Sequence, residues 1–551
     1  MSLDVRDIYA PKEPEAKRAR LDDIASLNTA TTDAKDILAA LENDETLPED
    51  EVAEIDENAV KKLAVQLDKK FKKNQEMRVK HASEPEKFMQ SEIELNTAIQ
   101  EMHSVATAPA FYAQLVELGF IDTVIQLLAH DNNDIVGATC FLLDELCDVE
   151  ILNENDEEVA GFIDSLLKAN LIETFVTQPL AKLDNDDKDE FEAINHVLST
   201  IENILEFRPQ ASDICLKQGL FVELMNRATL KSVFDSNKLS ASQLLAMILQ
   251  TSEDAQVKLV EKKDGIDFIL RALAQYKRND PESADETEHM ENLFDALCAS
   301  LLRKENRLIF LKDEGNELMY LMLKEKKASR EGALRVLSHV TAIPDGVENC
   351  NHFVEILGLR ALFPLFMKTP TKNKKKDTTP TDHEEHVCSI IESLLYSCNA
   401  ENRLRVLSKF TEKDYEKVER LVELFLAYSD RLRRFMNRLA KQYNLQEMDD
   451  EFISEERRSN GFYTLTKIAL ILVDVCVNAN DGCRAHASNL FRMKTKEASI
   501  KAHLEPVLKE ISDNLGEEAI EQKNRVEEFI QKITALEEQA KEWYHCTQGC
   551  K

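Results

Sequence analysis

His383 and His386 stand three positions apart, with Cys388 just beyond, and on a helix the two imidazoles would share a face from which a metal could be held. The run reads His383-Glu384-Glu385-His386, one residue short of the zinc-protease spacing, and no third ligand is evident. A helix that starts near Asp382 and carries its histidines on the surface accounts for the pattern more simply. His545, Cys546 and Cys550 form a second metal-capable set, at a terminus expected to fray. The chain has neither a glycine-rich phosphate loop nor a Gly-x-Ser-x-Gly turn. These residues predict no catalytic role, no cofactor and no metal; a metal-dependent enzyme stays open as an alternative that stoichiometric metal in the purified protein would establish.

A different chemistry is offered by Lys17, Arg18 and Arg20, three cations beside Pro14 in the run Pro14-Glu15-Ala16-Lys17-Arg18-Ala19-Arg20-Leu21-Asp22. An extended basic run of this kind can lie in the acidic groove of an import receptor, as a nuclear localisation signal must. Its surroundings favour access. Residues 1–60 hold 17 acidic against 6 basic residues, a balance of -11, with little apolar matter to bury, so residues 1–59 are expected to be a disordered acidic tail. A second basic run, Lys372 to Lys376, lies between Pro370 and Pro380 and reads as a solvated loop between helices.

The elements that would position a binding surface are written as a repeat. A glycine or asparagine followed at once by an apolar helix recurs at Gly119, Asn170, Gly219, Gly265, Gly315 and Gly358, at spacings of 51, 49, 46, 50 and 43 residues. Each anchor is expected to take the left-handed turn that ends one helix before the next begins, which is the mark of stacked helical repeats. In the first clear unit a short helix from Phe120 to Ala129 is followed by the polar link His130-Asp131-Asn132-Asn133 and a longer helix through Asp148. Three helices per unit resemble an armadillo repeat. The fold class is therefore all-α: an armadillo-type solenoid over 109–410, capping helices over 60–108 and a helical extension over 411–551 that lacks a clean period. Within that extension Val526, Phe529, Ile530, Ile533 and Leu536 form an apolar stripe on a terminal helix, too short for a confident coiled-coil seam and better suited to packing within the chain.

A solenoid offers a long surface, so binding is its expected role. The net charge of -33 argues against nucleic acid as the main ligand and favours basic protein segments. Apolar runs such as Ile468 to Val473 are too short to cross a bilayer and the amino terminus is polar, so a soluble, non-secreted chain is expected, without a membrane partner. The 11 cysteines, an odd number, fall mostly within apolar helical patterns and read as reduced, buried thiols. On an armadillo solenoid the third helices line the groove, and alignment of the apolar pattern before each repeat boundary puts Glu145, Asn203, Ser300, His339 and Ser393 there. The nearby carboxylates Asp144, Asp148, Glu202 and Glu206 are candidates to receive Lys or Arg side chains. Import receptors of this architecture read basic peptides with arrays of tryptophan and asparagine. Here the single tryptophan, Trp543, lies outside the repeats, which counts against the alternative of a transport adaptor for basic cargo.

Five segments resemble the beta-catenin-like protein 1 family as a set: Pro85-Glu86-Lys87-Phe88-Met89 with Gln100-Glu101-Met102-His103, Glu291-Asn292-Leu293-Phe294-Asp295, Phe363-Pro364-Leu365-Phe366-Met367-Lys368, and Glu384-Glu385-His386-Val387-Cys388-Ser389-Ile390. The likeness covers roughly residues 60–410. It implies a nuclear armadillo protein of the pre-mRNA splicing machinery, a scaffold in the complex organised around a Myb-like cell-division-cycle splicing factor. It also implies recognition of basic localisation segments on partner proteins.

Overall fold

In the computed structural model of the chain, residues 55–549 are described except for 155, 232, 262–264, 371–378, 443–448 and 517–518. Lys17, Arg18, Arg20, the run Lys372 to Lys376 and Cys550 lie outside the described residues, as do the side chains of Trp543, His545 and Cys546. Among the described residues every regular element is helical.

Two helices, α1 (Glu57–Lys80) and α2 (Met89–Met102), pack on each other at the amino-terminal end, and a short 3-10 turn follows at His103–Thr107. Three-helix units come next. The first is α3 (Tyr112–Glu117), α4 (Phe120–Leu128) and α5 (Asn133–Leu146). A linking helix α6 (Val149–Glu154) leads to α7 (Asp156–Lys168), α8 (Leu171–Thr177), the single turn α9 (Pro179–Lys182) and α10 (Lys188–Phe207). The third and fourth units are α11 (Ser212–Lys217), α12 (Leu220–Thr229), α13 (Ser236–Thr251), and α14 (Glu253–Glu261), α15 (Gly265–Leu273), α16 (Ala284–Ser300). The fifth and sixth are α17 (Lys304–Lys312), α18 (Gly315–Lys324), α19 (Ser329–Val340), and α20 (Val347–Glu355), α21 (Leu359–Met367), α22 (Pro380–Ser397). Beyond them run α23 (Ala400–Lys409), α24 (Glu416–Gln442), α25 (Asp450–Ser459), α26 (Phe462–Asn478), α27 (Asp481–Thr495), α28 (Ile500–Asn514) and α29 (Ile520–Gly549).

Each unit obeys one local grammar. Its third helix begins with a residue whose side chain accepts a hydrogen bond from the first free backbone amides: Asn132, Asp187, Asp235, Ser283 and Thr379 start α5, α10, α13, α16 and α22. Asp382 returns the favour to Thr379 in a full capping box. α19 is the exception, since Ala328 precedes it without a side-chain cap. The middle helix begins instead from a sharp reversal. Gly119, Asn170 and Gly219 take φ of 76°, 59° and 89°, the left-handed turn expected of them.

The remaining anchors work differently. Gly358 has a right-handed φ of -52°, and the left-handed residue is Leu357 before it, at 68°. Glu314, at 60°, likewise precedes Gly315. Gly265 is not left-handed either, contrary to the expectation from sequence. At these three sites glycine is needed for room: a Cβ would sit 2.0 Å from the Leu259 carbonyl oxygen at 265, 2.4 Å from the Phe310 ring at 315 and 2.5 Å from the Phe353 ring at 358. The preceding helix folds back so closely that its own aromatic or carbonyl occupies the space.

Third helices stack on one another in chain order, α2 on α5, then α10, α13, α16, α19 and α22, and the ladder continues past Phe410 onto α26. One apolar core runs beneath it from Val60 to Ile533. The rings of Phe162, Phe175, Phe221, Phe294, Phe310 and Phe353 are fully enclosed, each burial worth about 2 to 3 kcal/mol before side-chain entropy is counted. The nine described cysteines are all buried, and burial raises the pKa of each thiol. Val526, Phe529 and Ile533 of α29 are buried too, with α29 packed along α28, so that stripe serves the chain itself.

Candidate functional site

Along the ladder of third helices one stripe, at helical spacing of three and four, is left uncovered by the core. It runs through Ala138, Phe141, Glu145 and Asp148 of α5 and its end, then Glu192, Asn195, Ser199, Glu202 and Glu206 of α10. It continues through Ser240, Gln243 and Met247 of α13, Glu288, Glu291 and Asp295 of α16, and Glu331 and Arg335 of α19. Neighbouring helices are tied across it by polar pairs. Asn195 donates to Asn237 at 3.2 Å, Gln243 donates to Glu202 at 2.8 Å, and Arg335 bridges Glu291 and Asp295 at 3.1 and 2.8 Å.

Of the positions expected in the groove, only Glu145 lies on this stripe. Asn203, Ser300, His339 and Ser393 keep less than a tenth of their surface exposed, Ser300 none, and point into the packing between helices. On α10 the neighbouring Glu202 is on the stripe, a rotation of about 100°, whereas Ala299, Ser338 and Glu392, one residue back on the other three helices, are buried as well. Burial, aided by the neighbouring His386, Arg335 and Arg307, pushes the His339 imidazole down to about 3, which keeps it neutral inside the core. The four supporting carboxylates fall better. Asp148, Glu202 and Glu206 are on the stripe, and Asp144 holds His196 at its edge.

The amino-terminal end of the stripe is built around Phe141, which is 42% exposed although it is an aromatic residue on a packed helix. The rings of His103 and His196 flank it, each centroid 4.7 Å from that of Phe141. Both imidazoles are fixed by carboxylates of the same helix, His103 by Glu145 at 2.5 Å and His196 by Asp144 at 2.8 Å. Three structural elements thus meet in one aromatic row edged with acid: the turn after α2, α5 and α10. A ring face bordered by carboxylates is suited to a Lys or Arg side chain, whose stem packs on the ring while its charge is paired. In sequence Phe141 is one apolar residue among many on its helix, and only its spacing of four from Glu145 sets it apart.

The opposite end is built from the same materials and is filled. Glu392 of α22 and Asp474 of α26 are 4% and 0% exposed as side chains. Lys467 reaches Glu392 at 3.3 Å, Arg403 reaches Asp474 at 2.5 Å, and Arg525 of α29 spans both carboxylates at 3.4 and 2.8 Å. The Arg525 guanidinium also lies over the rings of Tyr396 and Phe529, at 4.6 and 5.1 Å.

His383 and His386 are buried rather than on the surface. His383 bonds Glu331 through Nδ1 at 2.9 Å and the Leu365 carbonyl through Nε2 at 3.2 Å, and His386 meets Ser338 at 3.2 Å. They lock α22 against α19 and α21. Among the described residues no cluster of three or more histidine, cysteine or carboxylate side chains is arranged to hold a metal, and no single helix is long and apolar enough to cross a membrane.

Residues 35–505 match the family model described as catenin-beta-like, Arm-motif containing, nuclear. This chain belongs to that family. The beta-catenin-like protein 1 of Rattus norvegicus is 42% identical over 473 residues, 84% of this chain and 83% of the relative, and that of Homo sapiens 42% identical over 472. The beta-catenin-like protein 1 homolog of Schizosaccharomyces pombe is 30% identical over 491 residues, 87% of this chain and 82% of the relative. An engineered protein of known structure overlaps 51% of the chain at 16% identity with a TM-score of 0.35, too loose a match to bear on the fold. The catenin-beta-like family is a nuclear, helical armadillo-like one and not a known enzyme class, in agreement with the ladder and its three-helix units.

Proposed function

We propose that the chain is a non-enzymatic nuclear scaffold whose acidic inner stripe binds basic, localisation-signal-like segments of partner proteins, and that these partners belong to the pre-mRNA splicing machinery, including a Myb-like cell-division-cycle splicing factor. The observation that carries the binding mode is the exposed Phe141 face between His103 and His196, followed along the stripe by Glu145, Asp148, Glu202 and Glu206. A basic segment laid across α5 and α10 would meet alternating ring and carboxylate surfaces. Its side chains are long enough to reach both, and the chain's charge of -33 would speed their approach.

The splicing assignment rests on family membership and on the resemblance in the five sequence segments. Import would be served by Lys17, Arg18 and Arg20, read by an import receptor. Their replacement by alanine should shift the protein toward the cytoplasm, and unchanged nuclear retention would remove that role from them.

Binding is tested by fluorescence anisotropy of the full chain with a panel of Lys/Arg-rich peptides under increasing salt, with structured RNA as competitor. Selected peptides should bind with an affinity that falls with salt and survives RNA. Failure of every peptide to bind would overturn the proposal.

A further inference from the structure

On a chain so acidic, one helix carries a cationic face with which, among the described residues, no carboxylate is paired. Arg431, Arg434, Arg438 and Lys441 of α24 recur at spacings of three, four and three, one stripe about 15 Å long on the helix surface. With Ala427 and Asn437 they line an open depression of about 660 Å³. The opposite face of α24 is anchored in the core by Val418, Leu421, Val422, Phe425, Leu432 and Leu439, so the cationic stripe is held in place. Arg431 reaches Thr381 at 3.2 Å, and the Nε of Arg434 donates to the Asp430 carbonyl at 3.1 Å. Asp430 itself spends its carboxylate on Arg433, at 2.8 Å. Among the described residues no carboxylate pairs with Arg434, Arg438 or Lys441, and Arg434, Arg438 and Lys441 are exposed.

We infer that this face is a docking site for a short acidic peptide segment of a partner protein, separate from the inner stripe and opposite to it in charge. Four side-chain cations over about 15 Å match four or five carboxylates spaced along an extended peptide. A long nucleic acid would overrun the stripe and meet the exposed carboxylates of Glu423 and Asp430 that border it, at a repulsive cost a short segment avoids. The partner is thereby defined as acidic over about five to eight residues.

The probe is a fluorescein-labelled peptide of the sequence of residues 42–54, which has seven carboxylates and no basic residue. Full-length protein should bind it with an affinity that declines with salt. Arg434→Glu with Arg438→Glu should weaken that binding at least tenfold while leaving the melting temperature and the binding of Lys/Arg-rich peptides unchanged. The milder pair Arg434→Gln with Arg438→Gln should give a smaller loss of the same kind, which keeps the test valid if charge reversal disturbs folding. No binding, binding indifferent to both pairs, or binding of a twelve-nucleotide single-stranded RNA in place of the peptide would each overturn the inference.

Discussion

The two ends of the inner stripe use one chemistry in two ways. Around Phe141 the ring and Glu145 are partly open to solvent; around Tyr396 a second ring and the carboxylates Glu392 and Asp474 are covered by Arg525, Lys467 and Arg403 from the chain itself. The filled end is a picture of what the open end can hold: a guanidinium over an aromatic ring with its charge paired by acids from two helices. The halves also differ in how they turn. The first three anchors are themselves left-handed residues, and Gly119 has nothing within 4 Å of where a Cβ would sit, whereas the last three need glycine because the preceding helix is pressed against them.

The largest effect is expected at the filled end. Asp474→Ala would leave Arg403 and Arg525 without their shared buried partner and should destabilise the protein by about 3 to 5 kcal/mol in urea unfolding. A loss below about 1 kcal/mol would mean that the network is solvated and no model for the open end.

Turns come next. Gly315→Ala forces a Cβ against the Phe310 ring and should cost about 1 to 3 kcal/mol. Gly119→Ala has no neighbour within 4 Å and should cost only about 1 kcal/mol from its positive φ. Equal losses at the two sites would erase the distinction between the halves.

Acid should weaken the rear half more gently. Burial, reinforced by Arg335, pushes His386 down to about 4, and His339 lies near 3. Unfolded histidines take up protons below about 6.5 while these two stay neutral, so their contribution is fully present above pH 6.5 and is lost as the pH falls toward 4. Melting temperature should therefore decline from pH 6.5 to 4.5, and His386→Gln should flatten that decline.

Much of the fold was legible in the chain because glycine anchors, capped third helices and apolar periodicity all act locally. Helices expected over Asp414 to Tyr443, Phe462 to Val477 and Ile500 to Leu515 are found at Glu416–Gln442, Phe462–Asn478 and Ile500–Asn514. What could not be read locally was rotation and handedness. Whether Glu202 or Asn203 faces the groove depends on how α10 settles between α5 and α13, and both residues fit an amphipathic pattern. Gly265 looks like a left-handed turn in sequence, yet its role is fixed by how closely Leu259 folds back upon it. His383 and His386 looked like surface residues because their partners, Glu331, Leu365 and Ser338, come from helices up to 52 residues away.

The most direct test of the open end is the affinity of the full chain for a Lys/Arg-rich peptide, measured for the unaltered protein and for Phe141→Ala combined with Glu206→Lys. Both residues are exposed, so the fold should persist while binding falls by tenfold or more. Unchanged affinity in a correctly folded variant would contradict the assignment of basic-segment recognition to the stripe across α5 and α10.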